Sequence, residues 1–150
     1  MLDVPLSEED IDRCSALAEA IHANKARLNK PAGDWGISPF EARLSSLKSE
    51  CAVAKLLRCE WNPKVLNGGD GHIDLYLPHE TPLGKTVEVK YRSERNRDLA
   101  TSTLDFWNEL VADLYVLTWP SVVPNAITVV GFATKEDYWD RIAFSRPPIF

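Results

Sequence analysis

The order of segments along the chain predicts an α/β domain, a mixed central sheet flanked by helices. Three observations carry that expectation. Two capped helical segments come first, one from Ser7 to near Leu28 and one from Ser38 onward. Two segments with strand alternation follow, His72 to Leu77 and Lys85 to Tyr91. A third helical segment, Thr103 to Ala112, then runs directly into the strand-like Leu114 to Trp119. A helix between strands favours α/β, whereas strands paired only as separated hairpins would make the domain α+β.

Composition bounds the answer. At 150 residues, 45% hydrophobic and 26% charged, the chain reads as one soluble domain spanning 1–150. A chain of this size buries about two-thirds of its unfolded surface, so it needs neither disulfides nor a structural metal to fold. Cys14, Cys51 and Cys59 are an odd number, none forms a C-x-x-C pair, and each falls among apolar residues of helical spacing. They read as small buried hydrophobes in a reducing compartment. Without a long apolar run or the basic-then-apolar order of a signal peptide, the expected location is cytoplasmic.

The first helix is announced by Ser7 with Asp10 three residues later, and continues with Ile11, Cys14, Leu17, Ala18 and Ile21. Pro31, Gly33 and Gly36 punctuate the loop that follows. In the second helix Ser38 caps, Pro39 suits the first turn and Glu41 completes a capping box. Beyond Trp61-Asn62-Pro63 come a short strand candidate, Lys64 to Leu66, and the glycine-rich turn Asn67 to Gly71. In the first alternating segment Ile73, Leu75 and Leu77 share a face, with His72, Asp74 and Tyr76 opposite. In the second, Val87, Val89 and Tyr91 share a face, with Glu88, Lys90 and Arg92 opposite. The loop Pro78 to Gly84 joins the two. Ile127 to Ala133 reads as a last strand and Lys135 to Arg141 as a short helix. Trp61, Trp107, Trp119 and Tyr91 read as packing residues, with loop-borne Trp35 the exception as a base-stacking candidate.

The net charge of −5 argues against a protein that coats nucleic acid through bulk electrostatics. Local charge matters more for phosphate binding, and the most basic stretch holds Lys85, Lys90, Arg92, Arg95 and Arg97. Arg92, Arg95 and Arg97 are therefore candidate DNA contacts, with a solvated loop as the alternative. Glu88 and Lys90, two apart in a strand, project from one face and can share a ligand. An antiparallel partner strand brings Asp74 beside Glu88 on that face. Two neighbouring carboxylates repel unless a cation lies between them, and Mg²⁺, which takes oxygen ligands and bridges to phosphate, fits that need. Glu50 lies i, i+3 and i+7 with Val53 and Leu57 at the margin of the core-facing stripe. The plainer alternatives are a solvated strand face for Glu88 and Lys90 and a surface glutamate at 50. No serine-hydrolase elbow, P-loop, H-E-x-x-H or paired Cys/His zinc spacing occurs.

The series Glu50 on a helix, Gly68-Gly69-Asp70-Gly71-His72-Ile73-Asp74, then Glu88-Val89-Lys90 resembles the PD-(D/E)XK nuclease superfamily. The glycine-rich approach to Asp74 is similar to that of Mrr-type restriction enzymes. The segments Ala112 to Leu117 and Val130 to Thr134 resemble the closing strands of small phage and bacterial members. Ile73 stands where the family's motif carries proline. The resemblance implies a restriction-endonuclease-like αβββαβ core preceded by an extra helix. It also implies Mg²⁺, replaceable by Mn²⁺, bound by Asp74, Glu88 and the Val89 carbonyl. Lys90 would activate or orient water, and Glu50 would complete the metal's outer sphere. The expected activity is phosphodiester hydrolysis in DNA, with a homodimer if both strands are cut. The rivals are a non-cutting nucleic-acid-binding module of the same fold and a protein-interaction or inhibitor domain.

Overall fold

The computed structural model of the chain describes residues 1–27, 38–63, 73–93 and 111–137. Seven elements run in the order β1 (Leu2–Pro5), α1 (Glu8–Arg27), α2 (Pro39–Leu57), β2 (Leu75–Thr81), β3 (Gly84–Tyr91), β4 (Leu114–Pro120) and β5 (Ala126–Thr134). The strands form one mixed sheet in the order β1-β5-β4-β3-β2. Only β3 and β4 are parallel; the other neighbours are antiparallel. The architecture is therefore α/β. Among the described residues no helix is long and apolar enough to cross a membrane.

Both helices begin where their capping residues stand. The Ser7 N–H donates to Asp10 Oδ2 at 2.9 Å and the Asp10 N–H to Ser7 Oγ at 3.1 Å, a reciprocal cap that starts α1. Ser38 Oγ accepts from the Glu41 N–H at 3.1 Å, with Pro39 in the first turn of α2. Arg58, at φ 54°, stops α2, its N–H returning to the last-turn carbonyls. Cys59 thus lies beyond the helix, not within it, and is only partly buried.

One face of the sheet builds the core. Leu75, Val87, Leu114, Val116, Ile127 and Val129 gather with Leu47, Cys51, Ala52 and Val53 of α2, and with Cys14, Ala18 and Ile21 of α1. Cys14 and Cys51 hydrogen-bond across the helix pair, and this contact, followed by burial, pushes the Cys14 thiol up. Buried and protonated, it behaves as a small hydrophobe. At the outer end of the same helix pair, Lys55 Nζ sits 2.6 Å from Asp10 Oδ2.

That ion pair predicts an acid-sensitive contribution to stability. The hydrogen bond from Lys55, aided by the Ser7 cap, holds the Asp10 carboxyl at about 2, against 3.8 for the free group. A depressed carboxyl pKa stabilises the fold above the unfolded value, and that share is lost as the group protonates in the folded state. Thermal midpoints of wild type and Asp10→Asn should therefore differ above about pH 4 and converge toward pH 2. A constant difference across that window would place the origin elsewhere.

Several expected boundaries move. The strand β1 was not legible in the sequence: four residues with only Val4 buried show no alternation, and the strand exists because Leu2 to Pro5 pair with Val129 to Ala126. Asp3 Oδ1 fixes it further, accepting from Thr128 Oγ1 at 2.6 Å and Ser121 Oγ at 2.9 Å. The strand expected from His72 starts at Leu75 and continues to Thr81, through the residues expected to be loop. Pro78 is accommodated because β2 is an edge strand whose register with β3 shifts between Tyr76 and Thr81. The third helix was expected to reach Ala112, yet Val111 and Ala112 are not helical; the Ala112 N–H donates to the Tyr115 hydroxyl at 3.1 Å. The rest of that segment, the Lys64 to Leu66 strand, the Asn67 to Gly71 turn, and Trp35 and Trp107 lie outside the described residues. Of the last helix, 135–137 is helical and opens on a reciprocal Thr134–Asp137 cap, while 138–141 lies outside.

A knot of hydrogen bonds aligns the beginnings of the two parallel strands. Asp113 Oδ2 accepts from the Lys85 N–H at 2.7 Å, the Thr86 N–H at 3.0 Å and Thr86 Oγ1 at 3.0 Å. The Asp113 N–H in turn donates to Thr86 Oγ1 at 2.9 Å. These backbone donors hold the Asp113 carboxyl below its ordinary range. Gly84 makes room for it: φ is +117°, and a Cβ there would stand 2.3 Å from Asp113 Cβ. Gly84→Ala should cost about 2 kcal/mol or more, since a strained φ alone costs about 1–3 kcal/mol. An unchanged urea midpoint would refute the knot.

Candidate active site

The second half of β3 carries the expected acid and base. Val87 and Val89 turn toward the helices and join or border the core, so Glu88 and Lys90 alternate onto the other face. Their β4 neighbours there are Tyr115 and Leu117, both buried. Glu88 is only 5% exposed. Lys90 Nζ reaches back along the strand to pair with Glu88 Oε1, while keeping about a third of its own side chain in solvent.

Asp74 enters from β2. The register begins with Leu75 on Val87, so Asp74 stands one residue before the paired strand. Here the regular ladder ends. The Asp74 N–H donates to the Val87 carbonyl at 2.9 Å, and the Asp74 carboxylate takes the next donor, accepting from the Val89 N–H at 2.7 Å. One carboxylate oxygen is thereby fixed against the strand that carries Glu88 and Lys90. Asp74 thus meets β3 at the Val89 backbone, between Glu88 and Lys90 in sequence.

Glu50 is held in a different way. It lies on α2, the helix packed on the opposite face of the sheet, and its Oε2 accepts from the Trp61 indole N–H at 3.2 Å. Trp61 is itself fixed, its carbonyl accepting from Arg13 Nη2 at 3.1 Å and its ring lying 4.7 Å beneath the Arg13 guanidinium. Among the described residues no three His, Cys, Asp or Glu side chains cluster closely enough to hold a metal ion together. Asp74 and Glu88 are the carboxylates brought to this stretch of β3.

Two residues that sequence reasoning passed over steady Lys90. Thr118 Oγ1 lies 3.1 Å from the Lys90 carbonyl oxygen and 2.9 Å from Ser49 Oγ. A carbonyl only accepts, so the Thr118 proton goes to Lys90 and the Ser49 hydroxyl supplies the second bond. Ser49 and Thr118 are fully buried, and the relay ties α2 through β4 to the backbone of Lys90. A buried serine in an apolar helical stripe was the one available signal. Arg92 follows β3, its N–H donating to the Thr118 carbonyl at 3.0 Å. Arg95, Arg97, Asp70 and His72 lie outside the described residues.

Compared with protein-family models, curated proteins and solved structures, the chain gives no match.

Proposed function

We propose that the chain is a divalent-metal-dependent nuclease of restriction-endonuclease-like fold that hydrolyses phosphodiester bonds in DNA. The observation that supports this reading is the Asp74 carboxylate seated on the Val89 N–H, between Glu88 and its ion-pair partner Lys90 in the strand. Hard oxygen donors from two carboxylates, with the Val89 carbonyl beside them, suit Mg²⁺ or Mn²⁺. Such an ion, when bound, polarises the phosphate and lowers the pKa of an attacking water.

The protein's own residues do the remaining work. Asp74, held by the Val89 N–H, keeps its position without paying rotamer entropy at the moment of binding. Lys90 places an ammonium where negative charge develops on the phosphate and steadies the water. Thr118 and Ser49 fix the backbone from which that ammonium extends. Glu50, engaged with the Trp61 indole on the helix face of the sheet, is not counted among these residues. Arg92, Arg95 and Arg97 follow directly in sequence and supply phosphate contacts along the DNA.

The test is direct. Supercoiled, linear, single-stranded and branched DNA are incubated with Mg²⁺ or Mn²⁺, wild type beside Lys90→Ala. Metal-dependent cleavage by wild type alone supports the reading, and absence of cleavage of every substrate with either metal overturns it.

A further inference from the structure

We propose that a cleft between α1, α2 and the outgoing ends of β3 and β4 holds one nucleotide of a single-stranded nucleic acid, with its phosphate on Lys48 and its base on Tyr91. The substrate class rests on the nuclease reading; the cleft itself does not. It encloses about 250 Å³. Tyr91 ends β3 and Pro120 ends β4, so the cleft opens at the carboxyl ends of the parallel strand pair. Open α/β sheets place ligands at that position, where the strands hand over to loops.

Its walls are of two kinds. Ser45 and Lys48, three apart on α2, bring a hydroxyl and an ammonium to one side. Ile11, Val123 and Ile127 with the Tyr91 ring make an apolar and aromatic remainder. A cation with hydroxyls on one side and an aromatic wall on the other matches a phosphate joined to a flat base. The size matches too, because about 250 Å³ falls just below the roughly 300–1,000 Å³ of drug-sized sites and suits one unpaired nucleotide rather than a duplex.

The polar groups are uncommitted. Among the described residues Lys48 makes no ion pair and the Tyr91 hydroxyl no hydrogen bond. Nearby acids are engaged elsewhere, Asp10 with Lys55 and Asp3 with Ser121 and Thr128. Lys48 is the cation of the cleft's lining, and the Asp3 carboxylate lies behind Ser121 on the opposite side. Tyr91 directly follows Lys90, and consecutive strand residues face opposite sides of a sheet. A strand leaving the cleft over the end of β3 reaches Lys90 on the far side, which a rigid duplex cannot do.

The experiment measures binding in EDTA, where no metal-dependent cleavage occurs. Probes are a single-stranded oligothymidylate, the matching duplex, thymidine 5′-monophosphate and inorganic phosphate, followed by anisotropy or amide chemical shifts. The oligothymidylate and the mononucleotide should shift resonances around Lys48 and Tyr91, and the duplex should not. Lys48→Ala should weaken single-strand binding and reduce its log-log salt slope by about 0.7. Tyr91→Ala should weaken it about 5- to 100-fold, while Tyr91→Phe keeps the ring and most of the affinity. Equal binding of duplex, equal response to inorganic phosphate alone, or an unaltered Lys48→Ala protein each overturns the proposal. Cleavage that persists while these shifts are absent sinks the cleft alone. Binding that persists in a protein unable to cut sinks the nuclease reading alone.

Discussion

Lys90→Ala should lose cleavage by about 10²- to 10³-fold, the usual cost of removing one charge-stabilising contact from a transition state. Metal and DNA binding should survive, since an ammonium ligates no metal and Arg92 and its neighbours remain. The ion pair with Glu88 adds a second effect. Glu88's side chain is 7% exposed, so removing its cationic partner should also cost about 1–3 kcal/mol of stability. Added Mn²⁺ should then raise the thermal midpoint more in the variant than in wild type, because the metal supplies the missing positive charge. Lys90→Arg should not restore the rate, because a planar guanidinium presents its donors in a fixed fork. A variant that cuts at the wild-type rate with ordinary Mg²⁺ dependence would reduce Glu88 and Lys90 to a structural ion pair.

Asp74 separates charge from scaffold. Its carboxylate is charged and accepts from the Val89 N–H, one residue from Glu88 and one from Lys90. Asp74→Asn keeps an oxygen for that N–H while removing the charge, so the fold should hold while Mn²⁺ binding and cleavage are lost. Asp74→Ala removes both, and the partly buried N–H left behind should cost about 1–3 kcal/mol in addition. Calorimetry with Mn²⁺ and urea unfolding of the two variants read the two roles independently. Unchanged Mn²⁺ affinity in Asp74→Asn would remove this residue from the metal site.

Signals that act over short distances were the ones legible in the sequence. The Ser7–Asp10 and Ser38–Glu41 caps need only three-residue spacing, and both helices start beside them. Alternation in Val87 to Lys90 assigned faces to that strand because period two leaves no freedom. Asp74 is tied to β3 by its carboxylate on the Val89 N–H, a bond that period two does not foretell. Features made by distant segments left no local trace. Asp113 gives no sign in sequence that it gathers the N–H groups of residues 85 and 86, and Thr118 none that it serves Lys90 and Ser49. Trp61 reads as an apolar packing residue and is buried, but its indole N–H also orients Glu50. The hairpin was misplaced because Pro78 signals a turn, whereas an edge strand needs no N–H from every residue.

The pairing of β1 with β5 has a kinetic side. Leu2 meets Val129 across nearly the whole described chain, so this border of the sheet is a contact of high sequence separation and closes late. β1 waits for β5, while α1 and α2 already have each other to pack against. Until the two meet, β5 presents a bare edge of backbone donors and acceptors, with Phe132 exposed on the same strand even in the finished fold. Edges of that kind recruit other chains. Refolding yield at high concentration should therefore depend on how quickly Leu2–Pro5 finds a partner more than a hundred residues away in the chain.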